Sequence, residues 1–228
     1  MVSQFLRFGA GLLMLTAIFI AIGCSGGGGS HTQLRILQAS PDEAAVDILI
    51  DGKTIVPSVG YAAPTSYTSV NSGSRHLQVE PSGTTTPVID ETITLNSGTH
   101  YTLITDNFAS AITPVLLTDD NTAPSSGNIK LRFVNAGAGA GDVDIYVLTP
   151  GSSPPGNPPT VSNLVLGSAS SYQSPVAGTY EIFVTIAGTT FEYVDSGPLT
   201  FNAGQNRTFV LVSDLAGGFK TVTLPDLN

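Results

Sequence analysis

Apolar and polar residues alternate along much of this 228-residue chain, and the alternation predicts β-strands. Val46, Ile48 and Ile50 project to one side of an extended segment, while Asp47 and Asp51 project to the other. Such a segment buries one face and exposes the other to water. Runs of this kind, bounded by turn-forming residues, predict about seven strands in the first half of the chain, near residues 33–39, 46–50, 53–56, 66–70, 75–80, 88–95 and 99–105, with a last one around 112–118.

The same pattern returns in the second half of the chain. Residues Leu34–Ala39 have their counterpart in Leu131–Ala136, at an offset of 97, and Gly73–Val79 have theirs in Gly178–Val184, at an offset of 105. Self-similarity over such a distance indicates a tandem duplication. The increase in the offset means that the second copy carries additional residues between the two matches.

Two copies of about 100 residues, each with about seven short strands, predict an all-β fold of two immunoglobulin-like antiparallel β-sandwiches in series. The first sandwich is expected at residues 33–120 and the second at 128–228, with a polar linker at 121–127. Each copy has its own alternating apolar residues. Each is therefore expected to fold alone, unless the two share an interface.

The additional residues of the second copy form a proline-rich insertion. The first copy has a tight Asp-Gly hairpin at Ile50–Lys53, and the second has Thr149–Thr160 in its place. We expect a surface loop of polyproline-like character, which is easily ordered on a partner. A neutral expansion of the hairpin is the alternative. The candidate binding residues of the loop are Pro150, Pro154, Pro155, Pro158 and Pro159.

Residues 1–23 have the layout of a secretory signal peptide. Arg7 gives a positive start, an uncharged run follows from Gly9 to Ile22, and Cys24 is the only cysteine of the chain. The segment Ala21–Cys24 resembles the bacterial lipobox, although Ala21 stands where that motif usually has Leu. The resemblance implies cleavage before Cys24, diacylation of the thiol and attachment to a membrane. A plain secretory signal with a free thiol and an uncleaved signal anchor are the alternatives.

Lipidation of Cys24 would place the protein in the cell envelope, on a Gly- and Ser-rich tether at residues 24–32. Ser25 follows the cysteine, where Asp would resemble an inner-membrane retention signal. The outer membrane or the cell surface is therefore expected if the cell has two membranes. Because the chain has no second cysteine, it forms no internal disulfide, and its stability must come from the cores and sheets alone.

Composition and charge narrow the class of partner. The formal net charge is −9, and only 11% of the residues are charged. An acidic surface repels nucleic acid and anionic lipid head groups. The expected partners are the membrane, through the lipid on Cys24, and an envelope protein or a glycan. No nucleic acid is expected.

A family resemblance is carried by the segments Leu34–Asp42 and Val46–Gly52, followed by Tyr67 and by Gly73 before the next strand. They resemble the bacterial domain-of-unknown-function 4397 family, in two tandem copies that cover nearly all of residues 33–228. The resemblance implies a surface-exposed or secreted β-sandwich and brings no catalytic residues. The second copy departs from the pattern at Ala136–Gly141, which replaces the Ser-Pro-Asp turn of the first.

Signals for enzyme chemistry are sparse. His31, His76 and His100 lack the spacing of a zinc site, and the chain has no Gly-x-Ser-x-Gly nucleophile elbow. We expect a protein that is not an enzyme and has no cofactor. Sequence inspection would miss one kind of active site, in which two carboxylates from separate loops meet only in the folded chain.

Acidic residues offer a weak candidate calcium site. Asp119 and Asp120 lie at the junction of the two copies, and Asp142 and Asp144 lie at the start of a predicted strand. Carboxylate oxygens suit calcium, and such ions stiffen the junctions of extracellular domains. Because the Asp-x-Asp-x-Asp-Gly loop is missing, solvated acidic turns are the favoured interpretation.

One pairing of opposite charges recurs at the same spacing in both copies. Arg35 precedes Asp47 by the same interval at which Arg132 precedes Asp144. The recurrence is either a simple record of the duplication or a structural ion pair between neighbouring strands.

The aromatic residues give the remaining binding hypothesis. They could form a face that stacks on sugars, but the chain has no Trp, and most of them are better interpreted as core or cross-strand partners. The residues concerned are Tyr61, Tyr67, Tyr146, Tyr172, Tyr180, Phe191 and Tyr193.

Taken together, the sequence predicts a non-enzymatic, membrane-anchored lipoprotein of the cell envelope, with a structural or surface-interaction role such as adhesion or scaffolding. The alternative is an envelope carbohydrate-binding module.

Overall fold

The structure, a computed structural model, describes residues 30–226 and contains sixteen β-strands and one short 3₁₀ turn, Ala109–Ala111. The strands of the first half are β1 His31–Gln38, β2 Ala45–Ile50, β3 Lys53–Gly60, β4 Thr68–Asn71, β5 Gly73–Pro81, β6 Ile89–Leu95, β7 His100–Asp106 and β8 Thr113–Asp119. Those of the second half are β9 Lys130–Ala136, β10 Val143–Leu148, β11 Val161–Leu164, β12 Ser168–Ala169, β13 Gly178–Ile186, β14 Glu192–Phe201, β15 Asn206–Ser213 and β16 Phe219–Pro225.

These strands form four sheets of four strands, two for each half of the chain. The first half has the orders β4-β1-β7-β8 and β3-β2-β5-β6, and the second half has β12-β9-β15-β16 and β11-β10-β13-β14. Every strand predicted in the first half overlaps an observed strand. The predicted all-β fold of two sandwiches is confirmed.

One pair of strands in each sandwich departs from the antiparallel pattern. β1 pairs with β7 in parallel, as does β9 with β15, and the other pairs of these strands are antiparallel. A parallel pair needs a long crossover. Here the chain between β1 and β7 supplies it, because that stretch builds the whole opposing sheet before it returns.

Each sandwich encloses its own apolar core. In the first, Leu34 and Ile36 of β1 pack against Val46 and Ile48 of β2, with all four side chains fully buried. In the second, Leu131 and Phe133 of β9 occupy the corresponding positions. Alternation along each strand therefore directs one set of side chains inward, as the sequence pattern predicts.

A third apolar core lies between the two sandwiches. The sheet that contains β1 and the sheet that contains β9 pack against each other through the faces directed away from their own cores. The four sheets therefore form four consecutive layers. Both faces of these central sheets are buried, which explains their nearly continuous apolar runs. The buried members of this shared core are Leu37, Ala39, Ile104, Val134, Ala136, Val210, Val212 and Leu224.

The junction between the sandwiches is held against the second one. The Lys130 ammonium lies 2.6 Å from Oδ2 of Asp120, and the Asn206 amide donates a hydrogen bond of 2.6 Å to the Asp120 carbonyl. The Asp120 amide in turn donates to the Tyr172 hydroxyl at 3.2 Å. The end of β8 is therefore fixed to the body that begins with β9.

The described chain enters and leaves at the same end of the molecule, which we call the proximal end. β1 begins there at His31, and Arg35 contacts Pro225 and Asp226, which follow each other at the end of β16. The loop between β10 and β11 also lies at this end, because Val147 and Thr160 line one cleft with Leu131 near the start of β9.

The shared core predicts that the first sandwich does not behave as an independent unit. A fragment of residues 30–121 exposes Leu37, Ala39 and Ile104 to water, so we expect it to self-associate or to unfold at a lower temperature than the whole chain. Light scattering after size-exclusion chromatography and a thermal melt measure both properties. A monomeric fragment with the melting temperature of the parent would contradict the prediction.

Candidate functional site

Four buried charged side chains meet at the proximal end of the interface between the sandwiches. Arg35 on β1 and Arg132 on β9 point away from their own cores, and Asp119 and Asp226 close the last strand of each half. Their exposed fractions are 3%, 3%, 6% and 1%, respectively. Charges that are withdrawn from water to this degree need partners, since the desolvation cost is otherwise several kcal/mol for each ion.

The partners are exchanged between the two sandwiches. Arg132 of the second sandwich donates from Nη2 to Oδ1 of Asp119 of the first. In the same way, Arg35 of the first sandwich donates from Nη2 to Oδ1 of Asp226 of the second. Each half therefore supplies the counter-ion of the other, in an arrangement that repeats with approximate two-fold symmetry.

The remaining donors of Arg35 are also used. Its Nε donates to the Thr102 hydroxyl at 2.7 Å and its Nη1 donates to the Pro225 carbonyl at 2.9 Å. The Thr102 hydroxyl donates onward to Oδ2 of Asp119 at 2.7 Å. Thr102 thus links the arginine and the aspartate of its own sandwich.

Arg132 repeats this pattern in the second sandwich. Its Nε donates to the Thr208 hydroxyl at 3.1 Å, and its Nη1 donates to the Thr118 carbonyl at 3.0 Å. The Thr208 hydroxyl donates to Oδ2 of Asp226 at 3.0 Å. The network is satisfied in both halves, which is the condition under which a buried ionic cluster is tolerated.

A tyrosine covers each guanidinium. The Arg35 guanidinium carbon lies 4.8 Å from the ring centre of Tyr67, and that of Arg132 lies 4.8 Å from the ring centre of Tyr172, within the range of cation–π attraction. The Tyr67 hydroxyl donates to Oδ2 of Asp119 at 2.6 Å. Burial and the Asp119 carboxylate raise the pKa of Tyr67, and burial raises the pKa of Tyr172 to about 12. Both phenols therefore stay protonated at physiological pH.

The cluster has a structural role and no catalytic one. Both guanidinium groups and both carboxylates form hydrogen bonds within the protein, and their four charges sum to zero. The two tyrosine rings cover the guanidinium groups. No free nucleophile or general base results from these contacts. The cluster instead fixes how the two halves are docked.

The sequence hypothesis that Arg35 pairs with Asp47 is wrong. β1 and β2 belong to opposing sheets, so these residues are not cross-strand neighbours. Asp47 instead accepts hydrogen bonds of 2.7 Å from the Ser58 amide and from the Ser82 hydroxyl.

Asp144 has the corresponding role in the second sandwich and does not pair with Arg132. It accepts hydrogen bonds from the Asn163 amide at 2.7 Å and from the Gly188 amide at 2.8 Å. Asn163 and its counterpart Ser58 adopt left-handed φ values of 52° and 51° at irregularities of the strand pairing. The recurring aspartate therefore stabilises a β-bulge in each copy.

The four calcium candidates lie in separate surroundings. Asp119 belongs to the charge cluster, Asp144 supports a bulge, and Asp142 is exposed before β10. Asp120 contacts Lys130 and Thr122, whose hydrogen bonds lower its pKa to about 2. Within residues 30–226 no three or more His, Cys, Asp or Glu side chains are grouped as metal ligands would be.

The proline-rich loop is folded by turns rather than extended. Gly151 and Gly156 have φ values of 82° and 85°, and the Asn157 side chain donates to the Ser153 carbonyl at 2.8 Å. Of its five candidate prolines, Pro150, Pro155 and Pro158 are exposed, Pro159 is half-buried and Pro154 is buried. The loop therefore packs onto the protein at one point and exposes the remainder.

The aromatic residues do not assemble into one face. Tyr67 and Tyr172 cover arginines, Tyr146 is buried, and Tyr61 donates to the Ser213 carbonyl across the interface. The other members are distributed between two places. Phe191, 64% exposed, meets Tyr193 edge-on with ring centres 6.1 Å apart, and Tyr180 lines a cleft at the proximal end.

Each sandwich has a cleft at its proximal mouth, between its two sheets. The cleft of the first measures about 410 Å³, and its lining includes the charged residues Asp51 and Lys53 together with His31. The cleft of the second measures about 320 Å³ and has no charged side chain in its lining. Its residues are Leu131, Val147, Thr160, Gln173, Ser174, Pro175 and Tyr180.

The model of the domain of unknown function DUF4397 matches residues 32–146, which cover nearly all of the first sandwich, strand β9 and the first four residues of β10. The chain belongs to the DUF4397 family. No curated protein matches it.

Two solved structures illustrate what the DUF4397 chain is similar to in fold. One is a streptococcal virulence factor described as binding α-glucan, at 7% identity and a TM-score of 0.26, with 78% of this chain and 93% of that chain covered. The other is the family 26 carbohydrate-binding module of Eubacterium rectale Amy13K in complex with maltoheptaose, at 14% identity and a TM-score of 0.26, with 86% and 98% covered. Values this low support no conclusion about this chain.

Several functional residues of this DUF4397 protein escaped the sequence reasoning. Asp226, Thr102 and Thr208 complete the charge cluster, and none of them stands out as a motif. A signal was nevertheless present, since Thr102 and Thr208 are 106 residues apart and Asp119 and Asp226 are 107 apart, close to the offset of the preceding strands.

The predicted lipidation site lies outside the described residues, as do the signal peptide and most of the tether. Within residues 30–226 no helix is long and apolar enough to cross a membrane.

The buried charge cluster should contribute far more to stability than a surface pair. Replacing Arg132 by Leu removes the hydrogen-bonded counter-ion of Asp119 and leaves it only Arg35, whose Nη2 lies 3.6 Å from Oδ2 of Asp119. We expect a loss of about 3 kcal/mol in the free energy of unfolding. The matched control is Arg75→Leu, because Arg75 and its partner Asp51 are 27% and 46% exposed. That change should cost less than about 1 kcal/mol.

Urea unfolding followed by circular dichroism measures both losses. The double variant Arg132→Leu with Asp119→Leu should recover much of the stability, since it removes both charges together. Equal losses in Arg132→Leu and Arg75→Leu would contradict the role assigned to the cluster.

Asp106 predicts a dependence of stability on pH. It is 1% exposed, accepts a 2.6 Å hydrogen bond from the Asn107 amide, and faces Gly167 of the second sandwich. Burial raises its pKa from the ordinary 3.8 to about 6. The folded state therefore binds the Asp106 proton more tightly than the unfolded state does. Ionisation of the buried carboxylate destabilises the folded protein, and this loss of stability sets in above about pH 4 and is complete above about pH 6.

Asp106→Asn should therefore stabilise the protein at pH 8 by up to about 3 kcal/mol, the equivalent of the pKa shift. At pH 3, below both the unfolded and the folded pKa, the variant and the parent should unfold at the same urea concentration. A difference that does not change between the two pH values would contradict the prediction.

Proposed function

We propose that this chain is a non-enzymatic lipoprotein of the bacterial cell envelope, anchored through an acylated Cys24, whose two sandwiches act as one rigid module for structure or surface interaction. In this proposal residues 1–23 are a cleaved signal peptide, and the second sandwich is a diverged second copy of the family domain. Ser25 after the cysteine favours the outer membrane or the cell surface in a cell with two membranes.

The observation that carries the proposal is the interface between the sandwiches. It combines a shared apolar core with the exchanged pairs Arg35–Asp226 and Arg132–Asp119. Two domains that only needed to be linked would not bury four charges together. The arrangement suits a protein that must hold its two halves in a fixed geometry under load or in contact with a partner.

The lack of an assembled reaction centre supports a non-enzymatic role. Among the described residues, the buried carboxylates of Asp119, Asp144 and Asp226 all accept hydrogen bonds from protein donors. Asp106 has the raised pKa of a general acid, but it lies against Gly167 at the interface between the sandwiches. Its environment is that of a packing contact.

A second candidate function is that of an envelope carbohydrate-binding module. The uncharged cleft of the second sandwich, which contains Tyr180, favours it. The α-glucan and maltoheptaose ligands belong to the similar proteins and are no more than a proposal for this chain.

Anchoring is tested by Cys24→Ser in cells that express the whole chain. The parent should partition into the detergent phase of a Triton X-114 extraction, since two or more acyl chains give stable attachment. The variant should stay in the aqueous phase or retain its signal peptide. Incorporation of radiolabelled palmitate into the parent alone provides the control, and equal partitioning of both forms would refute the anchor.

A further inference from the structure

The cleft at the proximal end of the second sandwich is lined by an aromatic ring, apolar side chains and uncharged polar groups. Val147 and Pro175 supply the walls over the buried Leu131, and Tyr180 supplies the aromatic ring. Thr160, Gln173 and Ser174 supply hydroxyl and amide groups at its edge. We propose that this cleft binds a sugar residue of a neutral polysaccharide, an inference that deepens the binding role proposed above and rests on it.

The ring of Tyr180 is held in place from two sides. Its hydroxyl donates to the Val176 carbonyl at 2.7 Å, and its ring centre lies 6.5 Å from that of Phe201. A ring whose polar atom is already satisfied presents an apolar face. That face suits the C–H surface of a pyranose, which gains contact area at little cost in side-chain freedom.

The polar groups at the edge have hydrogen-bonding capacity to spare. The Gln173 amide nitrogen donates to the Ser171 carbonyl at 3.2 Å, which leaves Oε1 as an acceptor. The Thr160 hydroxyl accepts from the Val147 amide at 3.0 Å and keeps its own proton for donation. Sugar hydroxyl groups, which both donate and accept, match this mixture.

Charge and size narrow the ligand class. The lining has no charged side chain, and the chain as a whole carries a net charge of −9, so acidic polysaccharides are repelled. The volume of about 320 Å³ lies at the lower end of the range of about 300–1,000 Å³ typical of small-molecule sites. It accommodates one or two sugar residues of a longer chain.

The cleft also gives the proline-rich insertion a role. Thr160 is the last residue of that insertion, so the loop supplies one polar group at the edge of the cleft. The first sandwich has a tight hairpin in its place, and the corresponding cleft is lined by Asp51 and Lys53. The two copies therefore differ at the position where the second would recognise its ligand.

The test uses the full-length protein in detergent on an array of neutral oligosaccharides derived from cellulose, xylan, mannan and α-glucan, with acidic ones from pectin and hyaluronan. We expect signal on neutral glycans alone. Titration calorimetry with the best oligosaccharide should show binding at least about ten-fold weaker for Tyr180→Ala, since the stacking contact is lost. Tyr180→Phe, which keeps the ring, should bind within about two-fold of the parent.

Gln173→Glu and Thr68→Ala complete the experiment. Gln173→Glu places a charge at the edge of the cleft and should abolish binding even if Tyr180→Ala does not fold, with thermal melts reporting the fold of each variant. Thr68 is the counterpart of Gln173 in the first sandwich, and Thr68→Ala should bind like the parent.

Signal on no neutral glycan from folded protein, signal on acidic glycans alone, or unchanged binding by Gln173→Glu would each overturn the proposal. The anchoring measurement on Cys24→Ser is independent of all these outcomes.

Discussion

The exchange of counter-ions between Arg35, Asp119, Arg132 and Asp226 is the constraint on which the rest of the structure depends. Each arginine is buried by the docking of the two sandwiches, and its hydrogen-bonded carboxylate comes from the opposite half, while Arg35 also lies 3.6 Å from Asp119 of its own half. Separation would leave each guanidinium without its principal carboxylate. The apolar contacts between the sheets could slide, whereas hydrogen-bonded charge pairs fix one register. The two halves thus form a single body rather than two linked domains.

The first half of this body was largely predictable from the sequence, because one buried face per strand leaves a period of two. Val46, Ile48 and Ile50 of β2 show it clearly. The interface between the sandwiches was harder to predict, because β1 is buried on both faces and therefore lacks a clear alternation of apolar and polar residues. The visible sign was an arginine inside an apolar run, Leu34–Arg35–Ile36. A buried charge in such a place requires a partner of opposite charge.

The partner itself could not be predicted from spacing. Asp47 is close to Arg35 in sequence and recurs in both copies, but β1 and β2 belong to opposing sheets, and the parallel pairing of β1 with β7 is a property of the whole topology. Asp226 lies far along the chain, and its role depends on docking. The cleft beside Tyr180 could not be predicted either, because its lining comes from five separate places along the chain, at residues 131, 147, 160, 173–175 and 180.

The position of that cleft at the proximal end limits where a ligand can be. Five residues lie between Cys24 and Ser30, and the six steps along the chain span at most about 20 Å. In an anchored molecule the mouth of the second sandwich therefore opens toward the bilayer and the envelope layer next to it. A polymer held there by an anchored molecule would lie close to the lipid surface.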